Sequence, residues 1–255
     1  MEENNLKITA IIKTQNCENT ICDTLESIKE LDEIIVLDEH STDDTIEIAK
    51  EYKSKIIFTD KNDLSVGINQ AIEQSIGDWI FIVEQNEIVP QKLLMEIQRY
   101  IEIPKKNKFS ICFNQKTFYL GKEIKSQRKK SILRFFKKGY CEFKNNYSLD
   151  LKLKQGKIHK INFGFKADNS CILKFEKNDI SKRLIEIIEK NKFLAKTNKA
   201  SSVFLKPAFV FINEYFFKKA MLDGKRGFIF AKEKYIKELI LQITNFEKQR
   251  SENDF

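Results

Sequence analysis

The chain has 255 residues, 42% hydrophobic and 32% charged, enough to bury one large core or a core with an appendage. Its formal charge of +8 is unevenly laid down: 9 Lys+Arg against 22 Asp+Glu up to Ile103, then 36 against 15 in the remainder. That asymmetry points the second part at an anionic partner, nucleic acid or a membrane surface, or reads as a solvated lysine-rich face; zinc-finger spacing, RNP-like strands and heptads after a basic region are all missing, which argues against nucleic acid.

In chain order, Ile8 to Ile12 is a β-branched apolar run and reads as a strand. Ile21, Leu25, Ile28 and Leu31 follow at helical spacing. Glu33 to Leu37 reads as a second strand and Thr45 to Tyr52 as a helix, opened by Ser41-Thr42-Asp43-Asp44, whose short polar side chains suit capping. Lys55 to Phe58 is a third strand and Leu64 to Ser75 a helix stopped by Gly77-Asp78. Trp79 to Val83 is a fourth strand and Pro90 to Ile101 a helix with Pro at its start. Alternating strands and helices imply an α/β fold with a mostly parallel, helix-covered sheet. Ligands of such sheets bind at the carboxyl ends of the strands, so Thr14 to Asn16, Asp38 to Ser41 and Glu84 to Glu87 are expected to converge.

Beyond residue 104 the runs become short and aromatic, as in Phe109 to Phe113 and Ile132 to Phe136, and suit hairpins or irregular strands. Helices return over Ile180 to Leu194, Val203 to Leu222 and Phe228 to Phe246. The expected division is a nucleotide-sugar-binding α/β region over 1–103, an acceptor-binding region over 104–178 and a C-terminal helical region over 179–255.

Five scattered cysteines (Cys17, Cys22, Cys112, Cys141, Cys171) lack zinc-site spacing and read as reduced thiols of a cytosolic chain. Residues 1–5 lack the positive flank and apolar core of a signal peptide, and no apolar run of about 18 residues follows. The expectation is a chain neither secreted nor membrane-spanning.

Several blocks in order resemble the family-2 glycosyltransferases, particularly the bacterial branch acting on lipopolysaccharide core and related lipid-linked glycans. They are Ile8-Thr9-Ala10-Ile11-Ile12-Lys13-Thr14-Gln15-Asn16, Leu25 to Ile28, Asp32 through Thr45, Asn69 through Trp79, Arg134-Phe135-Phe136-Lys137-Lys138-Gly139, and Leu222-Asp223-Gly224-Lys225-Arg226-Gly227. The resemblance implies a Rossmann-like nucleotide-diphospho-sugar transferase (A-type) fold. It also implies an inverting transferase of hexosyltransferase type moving a sugar from a nucleoside-diphosphate donor, UDP-sugars favoured, to a saccharide or lipid-linked acceptor. Asp38 would bind the base, with Thr14 and Asn16 lining the nucleoside pocket and Asn69 and Glu84 also on the donor. Asp43 and Asp44 read instead as helix-terminus charges, and His40 and His159 as non-catalytic.

The family's Asp-x-Asp is Glu84-Gln85-Asn86 here. Glu84 and Asn86 would hold a divalent ion, Mg or Mn, with affinity weakened because Asn86 offers only a neutral amide oxygen. Cys17 replaces a family Glu and Ile68 a family Arg or Lys. The branch's His-Glu pair falls on Leu149-Asp150, leaving Asp150 as the candidate catalytic base with Glu142 behind it. These departures keep open a second reading, a catalytically weakened or inactive binding or assembly subunit.

Eight basic residues against Glu123 between Lys122 and Lys138 form a candidate phosphate-contacting surface. The aromatics Phe204, Phe209, Phe211, Tyr215, Phe216 and Phe217, followed by Lys218 and Lys219, either dock on anionic lipid or pack inward with only the lysines exposed. The expected localisation is cytoplasmic, with peripheral attachment to the inner face of the cytoplasmic membrane if those aromatics dock on lipid.

Overall fold

The computed structural model describes residues 6–60, 64–102, 110–143, 151–153, 172–175 and 200–253. The chain divides into two compact units, Met1–Gln115 with Lys129–Phe175, and Lys116–Arg128 with Glu176–Phe255.

In the first unit, β1 (Ile8–Thr14), α1 (Glu18–Ile28), β2 (Glu33–Asp38), α2 (Thr45–Glu51), β3 (Lys55–Phe58), α3 (Leu64–Gln74) and β4 (Trp79–Glu84) follow the expected alternation. They are followed by β5 (Glu87–Ile88), α4 (Gln91–Glu102), β6 (Ser110–Tyr119) and β7 (Lys122–Glu123); β6 crosses into the second unit and β7 lies wholly within it. The first unit resumes with β8 (Lys129–Lys137), β9 (Cys141–Phe143), β10 (Leu151–Leu153) and β11 (Ile172–Phe175).

The sheet runs β3-β2-β1-β4-β8-β6-β11-β5, with β7 on β6, while β9 and β10 form a separate pair. β3, β2, β1 and β4 are parallel, and β8 runs antiparallel to both β4 and β6. The α/β class and the parallel strands β3-β2-β1-β4 are therefore as the alternation of elements dictates, and the pairs β4-β8, β8-β6 and β11-β5 make the sheet a mixed one.

Period-2 patterning in the parallel strands separates two cores. Ile8, Ala10, Ile12, Val36, Phe81 and Val83 pack with Ile21, Leu25 and Ile28 of α1 and with Leu93, Leu94 and Ile97 of α4. Ile11, Ile35, Leu37, Ile80 and Ile82 pack with Leu64, Ile68, Ala71 and Ile72 of α3. Each fully buried Ile or Leu contributes about 1.5–3 kcal/mol. Gly77 is required where α3 turns into β4, because a Cβ there would lie 2.5 Å from the backbone nitrogen of Thr9.

The runs after residue 104 become an antiparallel pair with register shifts at Ile111/Cys112 and Phe113/Gln115. β6 extends well past the apolar run, through Asn114, Lys116 and Thr117. Its pairing with β8, and then with β7, carries polar residues as strand.

In the second unit, α5 (Ala200–Ile212) passes into a π turn at Asn213–Phe217 and a 3-10 turn at Ala220–Asp223 before α6 (Gly224–Asn253). The helix expected through Leu222 is broken because Lys219 is left-handed, φ 61. The helix expected over Ile180 to Leu194 lies outside the described residues. Asp223 accepts from the Lys125 and Ser126 backbone nitrogens at 3.0 and 3.1 Å and from the Ser126 hydroxyl at 2.7 Å. The Tyr119 hydroxyl donates to Glu233 at 2.8 Å, and its ring packs on Phe230. Leu205, Phe209, Ile212, Phe216, Phe217 and Leu222 are exposed, so the inward-packing reading fails for Phe209, Phe216 and Phe217. No helix among the described residues is long and apolar enough to cross a membrane.

Candidate functional site

Thr14, Asp38 and Glu84 are the last residues of β1, β2 and β4, and the pairs Thr14↔Asp38 and Lys13↔Glu84 bring the three strand ends side by side. Asp38 is fully buried. Its carboxylate accepts from the Thr14 hydroxyl at 2.7 Å, the Ser41 hydroxyl at 2.6 Å and the Ser41 backbone nitrogen at 2.7 Å. Thr14 and Asp38 thus brace the start of the loop after β2. Glu39 forms a 2.7 Å ion pair with Lys13.

Asn16 turns the loop after β1 at φ 44. Its backbone nitrogen donates to the Ser41 hydroxyl at 2.9 Å, and its side-chain oxygen accepts from the Thr42 nitrogen at 2.8 Å. His40, at φ 53, stacks on exposed Phe58 with ring centres 5.6 Å apart. Asp43 accepts from the Glu18 and Thr45 backbone nitrogens at 3.1 Å each and from the Thr45 hydroxyl. Burial by itself would raise the Asp43 carboxyl, and these bonds overcome it and lower it. Asp43 therefore serves a helix start, as its position before α2 suggests.

At the end of β4 the arrangement changes character. One oxygen of Glu84 pairs with Nη2 of Arg134 on β8, the other with Nζ of Lys174 on β11. Burial would raise the Glu84 carboxyl, but the charges of Lys174 and Arg134 hold it at about 2, below an ordinary 4.5. Glu87, fully buried, accepts from the Glu84 backbone nitrogen at 2.8 Å and from the Gln115 amide. Burial pushes the Glu87 carboxyl up against the pull of Arg134, 3.6 Å away. Asn86 donates from its side-chain amide to the Phe175 carbonyl at 2.8 Å, and its backbone carbonyl accepts the Phe175 nitrogen at 2.9 Å.

These residues do not fit a divalent ion. Both oxygens of Glu84 are covered by cations, Asn86 is neutral, and among the described residues no three His, Cys, Asp or Glu side chains group as ligands.

Asn69 on α3 exchanges two hydrogen bonds with the backbone of Phe143, at 2.9 and 3.0 Å. Cys17 and Ile68 are each 1% exposed. Ile68 packs beneath the sheet and Cys17 at the joint of α1 and α2, where its nitrogen donates to Thr45 at 2.8 Å. Leu149 and Asp150 lie outside the described residues, as does His159, and Glu142 is described only by its backbone pairing with Lys152.

The sequence set Arg134 among the basic residues of the 122–138 stretch and Gln85 and Glu87 in the loop after β4, but gave none of them, nor Lys174, a partner. Arg134 had a signal, as a single Arg entering an apolar strand that continues Phe135-Phe136. Gln85, which accepts the Gln15 backbone nitrogen at 2.8 Å, and Lys174, one of many lysines, had none.

Residues 9–167 match the model of the family described as Glycosyl transferase family 2. The chain is 34% identical over 93 residues to an uncharacterized glycosyltransferase of Rickettsia typhi, covering 36% of this chain and 32% of that protein. It is 36% identical over 89 residues to a TPR repeat-containing protein of Synechococcus elongatus, covering 34% and 22%. It is 25% identical over 109 residues to the poly(ribitol-phosphate) beta-N-acetylglucosaminyltransferase TarS of Staphylococcus aureus, covering 38% and 19%. The chain spans about a third or less of the length of these relatives. Among solved structures it is similar to glucosyl-3-phosphoglycerate synthase from Mycobacterium tuberculosis in complex with Mn2+, UDP and glucosyl-3-phosphoglycerate, at 21% identity and a TM-score of 0.35, covering 46% of this chain and 45% of that one.

Proposed function

The chain belongs to glycosyl transferase family 2, and from that premise we propose that it moves a sugar from a nucleoside diphosphate, UDP favoured, to a saccharide or lipid-linked acceptor of a bacterial surface glycan such as lipopolysaccharide, with inversion. The observation that carries this reading is the convergence of three polar loops at the carboxyl ends of β1, β2 and β4, inside the stretch the family model matches. The donor nucleoside lies against the loops after β1 and β2, where Asn16 turns the chain and Thr14 and Asp38 fix its course. Asn69 borders the donor by holding β9 to α3, and Glu84 marks the diphosphate end. Asp150 accepts the proton of the acceptor hydroxyl as that oxygen attacks the anomeric carbon. The bond from that carbon to the diphosphate oxygen breaks, and the nucleoside diphosphate leaves with its electron pair.

The acceptor's anchor is an anionic membrane surface on the cytoplasmic side. Supporting this are the exposed Leu205, Phe209, Phe216, Phe217 and Leu222 beside exposed Lys206, Lys218 and Lys219. Saturation-transfer NMR of the full chain with UDP-, GDP-, ADP- and dTDP-sugars, each in EDTA and with diamagnetic Mg2+, tests the donor reading. Transfer to both base and sugar protons of one donor is expected, and no transfer from any donor overturns it.

A weakened or inactive binding subunit is the second reading, favoured by the buried apolar Cys17 and Ile68 and by the covered Glu84. Donor contact with no release of nucleoside diphosphate across acceptor extracts would select it.

A further inference from the structure

Resting on the nucleoside-diphosphate reading of the strand-end site, we propose that this site binds the donor diphosphate without a divalent ion, Lys174 and the buried charge of Arg134 taking the ion's place.

An ion bridging two phosphates needs carboxylate oxygens that no other cation holds. Glu84 offers none, since Arg134 takes one oxygen and Lys174 the other. A dication placed there would lie within a few ångströms of two positive charges beside a part-buried carboxylate, or would have to expel Lys174.

The same substitution that removes a ligand supplies the replacement. The side-chain amide of Asn86 donates to the Phe175 carbonyl, and the Phe175 nitrogen donates back to the Asn86 backbone carbonyl. These bonds clip the end of β11 to the turn after β4 and hold Lys174 opposite Glu87. An aspartate at position 86 has no N–H for that carbonyl and would set a negative charge against it. Asn86 therefore suits a chain that brings a lysine, rather than a metal, to the end of β4.

Unmet donors, rather than excess charge, favour an anion: Arg134 and Lys174 face Glu84, and Arg134 also lies 3.6 Å from the inward-turned Glu87, so the cluster sets two cations against two carboxylates. The Arg134 side chain is 6% exposed, and among the described residues its Nε and Nη1 have no hydrogen-bond partner. Buried guanidinium donors left unmet are costly unless a polar or anionic group answers them. Lysine binds phosphate oxygens as a compact point charge, the role an ion would otherwise fill.

Calorimetric titration of the full chain with UDP and GDP, in EDTA and then in Mn2+, decides the matter. One nucleotide is expected to bind with affinities within about threefold in the two buffers, and Lys174→Met to weaken binding in EDTA about tenfold, the loss of one charge-assisted contact. Binding of the unsubstituted chain only with Mn2+ overturns the metal-free site and leaves the donor reading standing. Binding in EDTA that Lys174→Met does not change overturns the role given to Lys174. No binding in either buffer overturns the donor reading and this inference with it.

Discussion

Replacing Asp38 with alanine tests whether the first two strand-end loops are held by one buried charge. The side chain is fully buried and accepts bonds of 2.7, 2.6 and 2.7 Å. A hydrogen bond to a charged group contributes about 1.5–3 kcal/mol net, and the three bonds form one network, so their losses do not simply add. The variant also strands two hydroxyls and a backbone N–H. A loss of about 3–5 kcal/mol is expected, a large share of an ordinary domain's stability. The assay is urea unfolding followed by fluorescence of Trp79, the single tryptophan, which stacks on Phe135 at 5.0 Å within the same unit. Asp38→Asn keeps the shape and one acceptor, and is expected to recover more than half of the loss. A loss below about 1 kcal/mol for Asp38→Ala would refute the bracing role, because the buried Thr14 hydroxyl and the part-buried Ser41 groups cannot lose a charged acceptor that cheaply.

Glu84→Gln should lower stability by about 3 kcal/mol at neutral pH, the equivalent of holding a carboxyl at about 2 rather than 4.5. The folded-state value is depressed, so the contribution is full above pH 4.5 and vanishes as pH falls through about 2; urea midpoints of the two proteins should converge over that window. Asn69→Ala removes both bonds to Phe143, and should cost about 1–3 kcal/mol and speed hydrogen exchange at the Phe143 amide. Gly227→Ala would place a Cβ 1.8 Å from the Ala220 carbonyl oxygen. The backbone must move, at a cost of at least about 2 kcal/mol. Helical circular dichroism of the second unit should then melt early while the Trp79 signal holds.

The first hundred residues were legible because each of their elements carries its own period: β-branched runs for β1, β2 and β4, and a stripe at Ile21, Leu25 and Ile28 for α1. The parallel register followed from that alternation, and it set Thr14 beside Asp38. β6 was only half legible, since Lys116 and Thr117 become strand through pairing rather than propensity. For the aromatics of α5 and the π turn after it the sequence left two readings open, and the exposure of Phe209 and Phe217 decides between them. In the site, residues at strand ends were readable, but their partners were not. Arg134 and Lys174 lie 50 and 90 residues from Glu84, and no local pattern reports which cation will meet a carboxylate across such a distance. The Glu84-Gln85-Asn86 sequence signalled a weakened ion site, but not that Asn86 is a clamp on β11.

The Asp223 clip bears on the order in which the chain can be completed during synthesis. Every strand of the first unit has emerged once Phe175 is out, but the amides of Lys125 and Ser126 must await a partner 98 and 97 residues downstream. At about 5–20 residues per second, that is a delay of about five to twenty seconds. Throughout it the tip between β6 and β8 is an unfinished segment, open to proteases and holdases. A message truncated after β11 would release a finished sheet carrying a tip whose anchor was never made.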